Sequence, residues 1–309
     1  MKIAVFYYTQ TGQALEVARS ICAPIIESAD GTGNNSVVFK PIVSMRKYPF
    51  PWSRREFFSV FPETRLGIVI SDIAEMDFSD VLDADLVMIV GQSWFLSPSM
   101  PLQSFLADKN VKSYLSGRKV VFVNACRNMW LMTSRKIKAL LEDIGAIFVG
   151  HIVLQDKVHN LISALTITRW LLNGKKEATR FFPQAGITQN DINEASRFGD
   201  VILNEWKNDS TLSHLQDKLL ASGAIDYKPS VLFLEKAGHR MFGLWAKFIM
   251  KKGAIDDNRR RLRETLFFYY LLIVLFVVSP FGQLLFYATY PLHRVQYNKR
   301  RDCSIEITD

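Results

Sequence analysis

Cysteine and histidine are scarce, at three and five in 309 residues. Cys22, Cys126 and Cys303 lie far apart, and there is no CxxC or clustered Cys/His spacing. That argues against a disulfide scaffold, a structural zinc site and a histidine-built metal centre. The phosphate-binding patterns GxxxxGK[ST] and GxGxxG are both missing, as are internal repeats and low-complexity tracts. The opening run from Met1 to Tyr8 is too short for a signal peptide and has no cleavage site, so the bulk of the protein is expected to be cytoplasmic. With 49% hydrophobic and 22% charged residues, disorder is excluded as the main state.

An excess of either charge is missing from most of the chain. The net charge is +8, but residues 231–309 hold 13 Lys+Arg against 7 Asp+Glu, and residues 1–230 are close to neutral. A neutral body with a basic end argues against a nucleic-acid partner and fits a soluble domain with a membrane-seeking terminus.

Residues 2–8 are a continuous apolar run, as expected of a strand buried on both faces. After Thr9-Gln10-Thr11-Gly12, apolar residues recur at Leu15, Ala18, Ile21, Cys22, Ile25 and Ile26, which is helical spacing. Further strands are expected at 36–42, 85–91, 119–124 and 146–154, and helices at 101–108, 129–144 and 190–207. Gly145 suits a helix C-cap, and Thr188 to Asp191 an N-cap. Alternating strands and helices imply an α/β fold with a five-stranded, parallel, doubly wound sheet. Ligands of such sheets bind outside the carboxyl ends of the strands, here the turns after Tyr8, Gly91, Asn124 and Leu154.

The first of these turns, Thr9-Gln10-Thr11-Gly12-Gln13-Ala14, joins a buried strand directly to a helix. Its hydroxyls and N–H groups converge on the positive end of a helix dipole, which makes a phosphate cradle or, alternatively, an ordinary capped turn. The loop contains no lysine or arginine, so neutral donors would do the binding.

This loop resembles the phosphate-binding loop of flavodoxins, [ST]-x-T-G-x-[TA]. Two more stretches are similar in order and position: Gly91 to Leu96 with Pro98 and Pro101, and Asn124-Ala125-Cys126-Arg127-Asn128-Met129-Trp130. The resemblance spans about residues 1–153 plus the helix at 190–207. It implies a flavodoxin-like fold binding FMN. Thr9, Gln10, Thr11, Gly12, Gln13 and Ala14 would hold the phosphate. Ser93, Trp94 and Phe95 would flank the ring, and Asn124, Ala125, Cys126, Arg127 and Asn128 would approach its other edge. Trp94 and Phe95 are candidate stacking partners, although Phe95 suits core packing equally well. Arg127 and Asn128 suit the pyrimidine edge, a substrate anion or a solvated helix start. Cys126 suits a small buried filler better than a nucleophile. Gly91-Gln92-Ser93-Trp94-Phe95 lacks the second glycine of a GxSxG elbow, and no Asp…His sequel follows, which disfavours a hydrolase.

Two insertions exceed a bare electron carrier. The 155–187 insertion carries Asp156 and His159, the candidate bases, and a helix with Leu161, Leu165, Thr168 and Leu172 on one face that would roof an apolar pocket. The 45–80 insertion, with Tyr48, Trp52, Phe57, Phe58 and Phe61, would form another wall. The whole layout is similar to flavodoxin-like proteins of dialkylresorcinol and flexirubin-type pigment biosynthesis, known as dialkylresorcinol condensing enzymes. The resemblance implies aromatisation of a lipophilic cyclic dione, a two-electron dehydrogenation suited to FMN. It also implies a ketosynthase or acyl-carrier partner, and a homodimer is compatible with it. Condensation would need a ketosynthase Cys with His partners, and no such constellation is present.

Thr265 to Leu292 are 28 consecutive uncharged residues with basic flanks, enough to cross a bilayer. Ser279-Pro280-Phe281-Gly282 interrupts them, which leaves a kinked span and a re-entrant hairpin both open. Val231 to Lys252 reads as an interfacial amphipathic helix. The expected organisation is a flavodoxin-like domain at 1–208, a linker and basic amphipathic helix at 209–264, a membrane segment at 265–292 and a basic tail at 293–309. The expected site of action is the cytoplasmic face of the membrane, in contact with membrane lipids. An FMN oxidoreductase leads the expectations. A membrane-tethered electron-transfer protein and a flavin-free scaffold are the alternatives.

Overall fold

The computed structural model describes residues 1–28 and 35–291, so the basic tail at 293–309, with Leu292 and Cys303, lies outside the described residues. The strands are β1 (Lys2–Tyr7), β2 (Ser36–Pro41), β3 (Leu86–Trp94), β4 (Ser97–Pro98), β5 (Lys119–Cys126) and β6 (Ile147–Gln155). Five of them form one parallel sheet in the order β2-β1-β3-β5-β6, the doubly wound arrangement of flavodoxin-like folds. The sixth, β4, pairs antiparallel with the end of β3.

Alternate residues of each strand serve the two faces, as the pleat requires. Ile3, Val5, Met88, Val90, Val121 and Val123 pack in one core with α1 (Gln13–Glu27), α9 (Ser196–Asn208) and α10 (Leu215–Ala221). Ala4, Phe6, Val87, Ile89, Val120 and Phe122 face α4 (Met100–Ala107), α5 (Lys109–Leu115) and α6 (Leu131–Ile144). Helix α9 lies so close to α1 that a Cβ on Gly199 would sit 1.9 Å from the Ile21 carbonyl oxygen. Gly145 ends α6 at φ +80°. Thr188 caps α8 (Gln189–Asn193), accepting the Asp191 N–H at 3.1 Å. The helix expected at 190–207 is two helices, because the chain turns at Glu194 and Ala195 between α8 and α9.

Folding does not stop at residue 208. Leu212, Leu215, Leu219 and Ala224 are buried in the same core as α1 and α9. What reads as linker is partly a structural helix.

Helices α2 (Arg54–Ser59) and α3 (Phe61–Leu66), from the first insertion, form a second layer with α11 (Pro229–Met250) and α12 (Arg261–Ile273). Its core is aromatic: Phe61 stacks on Phe267 at 3.9 Å, with Phe58, Phe242 and Trp245 around them. Arg260, fully buried, forks onto the Glu63 carboxylate at 2.6 and 3.1 Å, and its Nε lies 3.3 Å from Glu264. Helix α11 is amphipathic as expected, but its buried face seats on α3 and α6 of this same chain.

Helix α12 continues to Pro291 as one unbroken helix, Asn258–Pro291, the one helix among the described residues long and apolar enough to cross a membrane. A re-entrant turn at Pro280 does not form. Instead, Val274–Val278 adopt a π-helical turn just upstream, which opens the ladder where a proline cannot donate.

Candidate functional site

The Tyr8 N–H still donates to the Val90 carbonyl, at 3.0 Å, before the chain turns through Thr9 to Gly12 into α1. Gly12 stands at the N-cap with φ +90°, a region that disfavours side chains, and a Cβ there would meet only Glu16 Oε1, at 3.7 Å. No side chain caps α1, so its first N–H groups keep their donor capacity at the positive end of a 15-residue helix. Beside them the Thr9 hydroxyl is buried and makes no hydrogen bond. An orphaned buried hydroxyl and an uncapped helix start together suit a phosphate ester.

The other loop residues hold the turn in shape. Gln10 Nε2 donates to the Pro49 carbonyl at 3.0 Å and ties the loop to the first insertion. Gln13 is a strap, because its amide donates to the Ile187 carbonyl at 2.8 Å and accepts the Ile187 N–H at 3.3 Å. The Ala14 side chain is fully buried in the sheet core, so only its N–H is available to a ligand. Thr11 is half-buried at the turn.

Next to the cradle, outside the carboxyl ends of β1 and β2, lies a cleft of about 780 Å³. Tyr8, Thr9, Gln10, Arg46, Lys47 and Tyr48 line it. Burial pushes the Tyr48 hydroxyl up to about 12. Burial raises Tyr8 further still, and Tyr48 beside it adds to the effect. Both phenols therefore stay protonated, and able to donate, at neutral pH.

Trp94 is absent from the cleft lining. It is wedged edge-on among Tyr48, Trp52 and Tyr8, at ring distances of 5.2, 5.6 and 5.9 Å, and supports the wall from behind. Phe95 departs further from expectation. It and Leu96 take positive φ (50° and 60°) in a two-residue hairpin between β3 and β4. The turn carries Phe95 into the aromatic layer, 4.7 Å from Phe57 and 5.1 Å from Phe61. The loop after β3 therefore docks on helices instead of closing over a ligand. Tyr48, expected in a wall formed by the 45–80 insertion, lines the cleft, and Tyr8, which was not singled out, lines it too.

At the end of β5, the Ser93 hydroxyl donates to Asn124 Oδ1 at 3.1 Å, while Asn124 Nδ2 is buried without a partner. Ala125 and Cys126 are buried, and burial pushes the Cys126 thiol well up, so it serves as packing against Trp130, Leu131 and Leu232. Arg127 donates to the Asn160 carbonyl at 3.1 Å, and Asn128 to the Asn160 side chain at 2.9 Å, with Asn128 Oδ1 left buried and unbonded. These two residues clamp α7 (Asn160–Asn173) to the sheet.

Neither candidate base reaches the cleft. Asp156 is 2% exposed; its carboxylate accepts the Val158 N–H at 2.9 Å and the Ser163 hydroxyl at 2.7 Å, which fixes the start of α7. His159 is the exposed residue before that helix and makes no side-chain cap. Helix α7 buries Asn160, Ser163, Ala164, Thr166 and Trp170, whereas Leu165 and Thr168 of the expected roof face outward. The insertion braces the site from outside: Trp170 packs on Phe50 at 6.2 Å, and the Trp52 N–H donates to the Leu171 carbonyl at 2.7 Å.

No family model and no curated protein matches the sequence. Solved structures similar to the chain include flavodoxins and another flavoprotein. A flavodoxin from the domain Archaea shares 13% identity over 67% of this chain and 99% of its own, with a TM-score of 0.38. A flavodoxin, WrbA-like protein from Agrobacterium tumefaciens shares 12% over 67% and 98%, with 0.39. A flavoprotein in complex with FMN from Lactobacillus acidophilus shares 15% over 49% and 92%, with 0.38. The likeness is one of fold, which the strand order carries independently.

One charged group escaped the motif search. Glu235 of α11 is fully buried at the start of α6, where its carboxylate accepts the N–H groups of Met132 and Leu131 at 2.7 and 3.2 Å. Burial pushes it up to about 7, against the two hydrogen bonds that favour its anion. The only trace in the sequence is a lone acid within a basic amphipathic stretch.

Proposed function

We propose that the chain is a membrane-associated FMN oxidoreductase that aromatises a lipophilic cyclic dione in dialkylresorcinol-type biosynthesis. The observation that supports this reading best is the orphaned Thr9 hydroxyl beside the uncapped start of α1, opening on a cleft walled by Tyr8 and Tyr48. Thr9 and the N–H groups of Gly12, Gln13 and Ala14 would hold the FMN phosphate. Tyr8 and Tyr48 would flank the ring, and Asn124 Nδ2 and Asn128 Oδ1 offer unsatisfied polar atoms for its edge. Bound FMN supplies a two-electron acceptor. A Tyr48 hydroxyl that stays protonated to about 12 donates to a substrate carbonyl oxygen and favours the enol that aromatisation requires. Arg46 and Lys47 on the cleft rim favour an enolate over its neutral form. In this reading the dione arrives from a ketosynthase or acyl-carrier partner, and the helix Asn258–Pro291 attaches the protein to the cytoplasmic face of the membrane.

A second reading, a membrane-tethered electron-transfer flavoprotein, is favoured by one observation: Asp156 and His159 are both held away from the cleft. An absorbance spectrum of the full chain in detergent, with and without added FMN, tests both. Bound-flavin bands that vanish in Gly12→Val support the cradle. Anaerobic bleaching of those bands by a dialkyl cyclohexane-1,3-dione supports the oxidoreductase, and bound flavin that no dione bleaches favours the carrier. A chain that stays colourless under saturating FMN sinks both and leaves a scaffold on the same fold.

A further inference from the structure

The helix Asn258–Pro291 is bound to the body of the protein at both ends. At its start, Arg260 is locked onto Glu63 and Phe267 is stacked on Phe61, both partners belonging to the α2–α3 insertion. Near its end it returns to the first turns of α11. A Cβ on Gly282 would lie 3.3 Å from Leu234, Phe286 is 3% exposed and 5.8 Å from Phe233, and the Tyr287 hydroxyl is 3.4 Å from Ser230. Those turns of α11 are themselves seated on the sheet domain, Leu232 against Trp130 and Leu131, and Glu235 on the start of α6. In a crossing helix, residues 260 and 286 would stand about 39 Å apart along the membrane normal. Residue 286 would then be a bilayer away from α6, and the contacts of the helix end with the first turns of α11 would break.

The faces turned away from the body are apolar and uncovered. On α11, Met241, Leu244 and Phe248 are exposed in a single stripe at helical spacing, while Val231, Glu235, Ala246 and Ile249 point into the protein. On its partner only 11% of the most apolar stretch is buried, and Leu266, Ile273, Val277, Leu284 and Leu285 are among the exposed residues. Contiguous exposed apolar faces of this kind mark contact sites for a membrane or another protein. Exposed basic residues border it, among them Arg240, Lys247, Lys251, Lys252 and Arg261. An apolar stripe edged with lysine and arginine fits the acyl-headgroup boundary of an anionic leaflet.

We propose that α11 and the helix Asn258–Pro291 form an antiparallel raft that lies in the plane of one anionic leaflet, so that the protein is monotopic and crosses no membrane. The inference rests on the membrane attachment proposed above and goes beyond it in stating orientation, leaflet and lipid charge. The raft also sets the height of the cleft: α2, which packs on α12, begins five residues after Pro49 at the cleft wall.

The test uses the full chain in membranes of an expressing bacterium. An impermeant maleimide reads which side of the membrane two thiols face, the native Cys303 and, in a Cys303→Ser background, Asn258→Cys. Cys22 and Cys126 are buried and stay silent. The raft predicts labelling of both from the cytoplasmic side, and an intrachain disulfide in the Leu234→Cys, Gly282→Cys variant while it is membrane-bound. It also predicts at least tenfold stronger sedimentation with phosphatidylglycerol-containing vesicles than with pure phosphatidylcholine. Cys303 reached only from the opposite side overturns the raft and leaves attachment standing. Same-side labelling without the disulfide overturns the pairing. A disulfide between chains assigns the apolar face to a second copy, and a chain that never fractionates with membranes overturns attachment itself.

Discussion

Thr9→Val separates a side chain kept for a ligand from one kept for the fold. The Thr9 hydroxyl is buried with no partner, so in the ligand-free protein it costs roughly 1–3 kcal/mol of unmet hydrogen bonding. Valine has nearly the same shape and no donor. The ligand-free variant should therefore be more stable than the parent, with a melting temperature higher by about 2–4 °C for each kcal/mol relieved. With a phosphate in the cradle the sign reverses. A hydrogen bond to a charged group is worth about 1.5–3 kcal/mol, so FMN should bind roughly 10–150-fold more weakly. Thr9→Ser should keep both properties of the parent. Melting of the flavin-free protein in detergent reads the first quantity, and a titration of flavin fluorescence reads the second. A variant that is less stable without flavin, yet binds FMN like the parent, would refute the reasoning and make Thr9 an ordinary turn residue.

Three further outcomes follow from the packing. Glu235→Gln removes a carboxyl that burial raises from 4.5 to about 7. In the parent this group's contribution is fully present below pH 4.5 and is lost as pH rises to about 7, a fall of about 3 kcal/mol, so the urea midpoint should drop less between pH 5 and pH 8 in the variant. Arg260→Ala strands the buried Glu63 carboxylate and should cost about 3–5 kcal/mol, read as a lower thermal midpoint, with α11 becoming the first site of limited proteolysis. Gly199→Ala forces α9 off the backbone of α1 and should cost about 1–3 kcal/mol in thermal melts.

The sheet was legible because each strand is a continuous apolar run closed by a polar turn, a pattern that survives any choice of neighbours. The turn from β1 into α1 was legible because a strand followed at once by Thr-Gln-Thr-Gly needs only local geometry. Tyr48 was expected in a pocket wall and lines the cleft, but its partner Tyr8 was not singled out, because the two meet only through tertiary packing. Trp94 and Phe95 misled for a related reason. Their adjacency to a turn matches a ligand loop, and nothing in the local sequence announces that Phe57 and Phe61 will receive Phe95. Asp156 and His159 misled because a titratable group near a strand end looks the same whether it caps a helix or faces a substrate. Pro280 left a kinked span and a turn both open, and the helix runs on through it with a π-helical turn just upstream.

The short β3–β4 hairpin bears on how this protein can be handled. The central strand of the sheet does not end at the sheet: Ser93 still bonds to Asn124, while two residues later Phe95 belongs to the aromatic layer. The two layers thus share a strand and, through Glu235, a helix cap. Such a helical layer is not modular. Trimming the chain before α11, the ordinary route to a water-soluble fragment, would strip the cover from Phe61 and Phe95 and leave the start of α6 uncapped. The detached domain would be a damaged core with a sticky flank, not a free-standing fold.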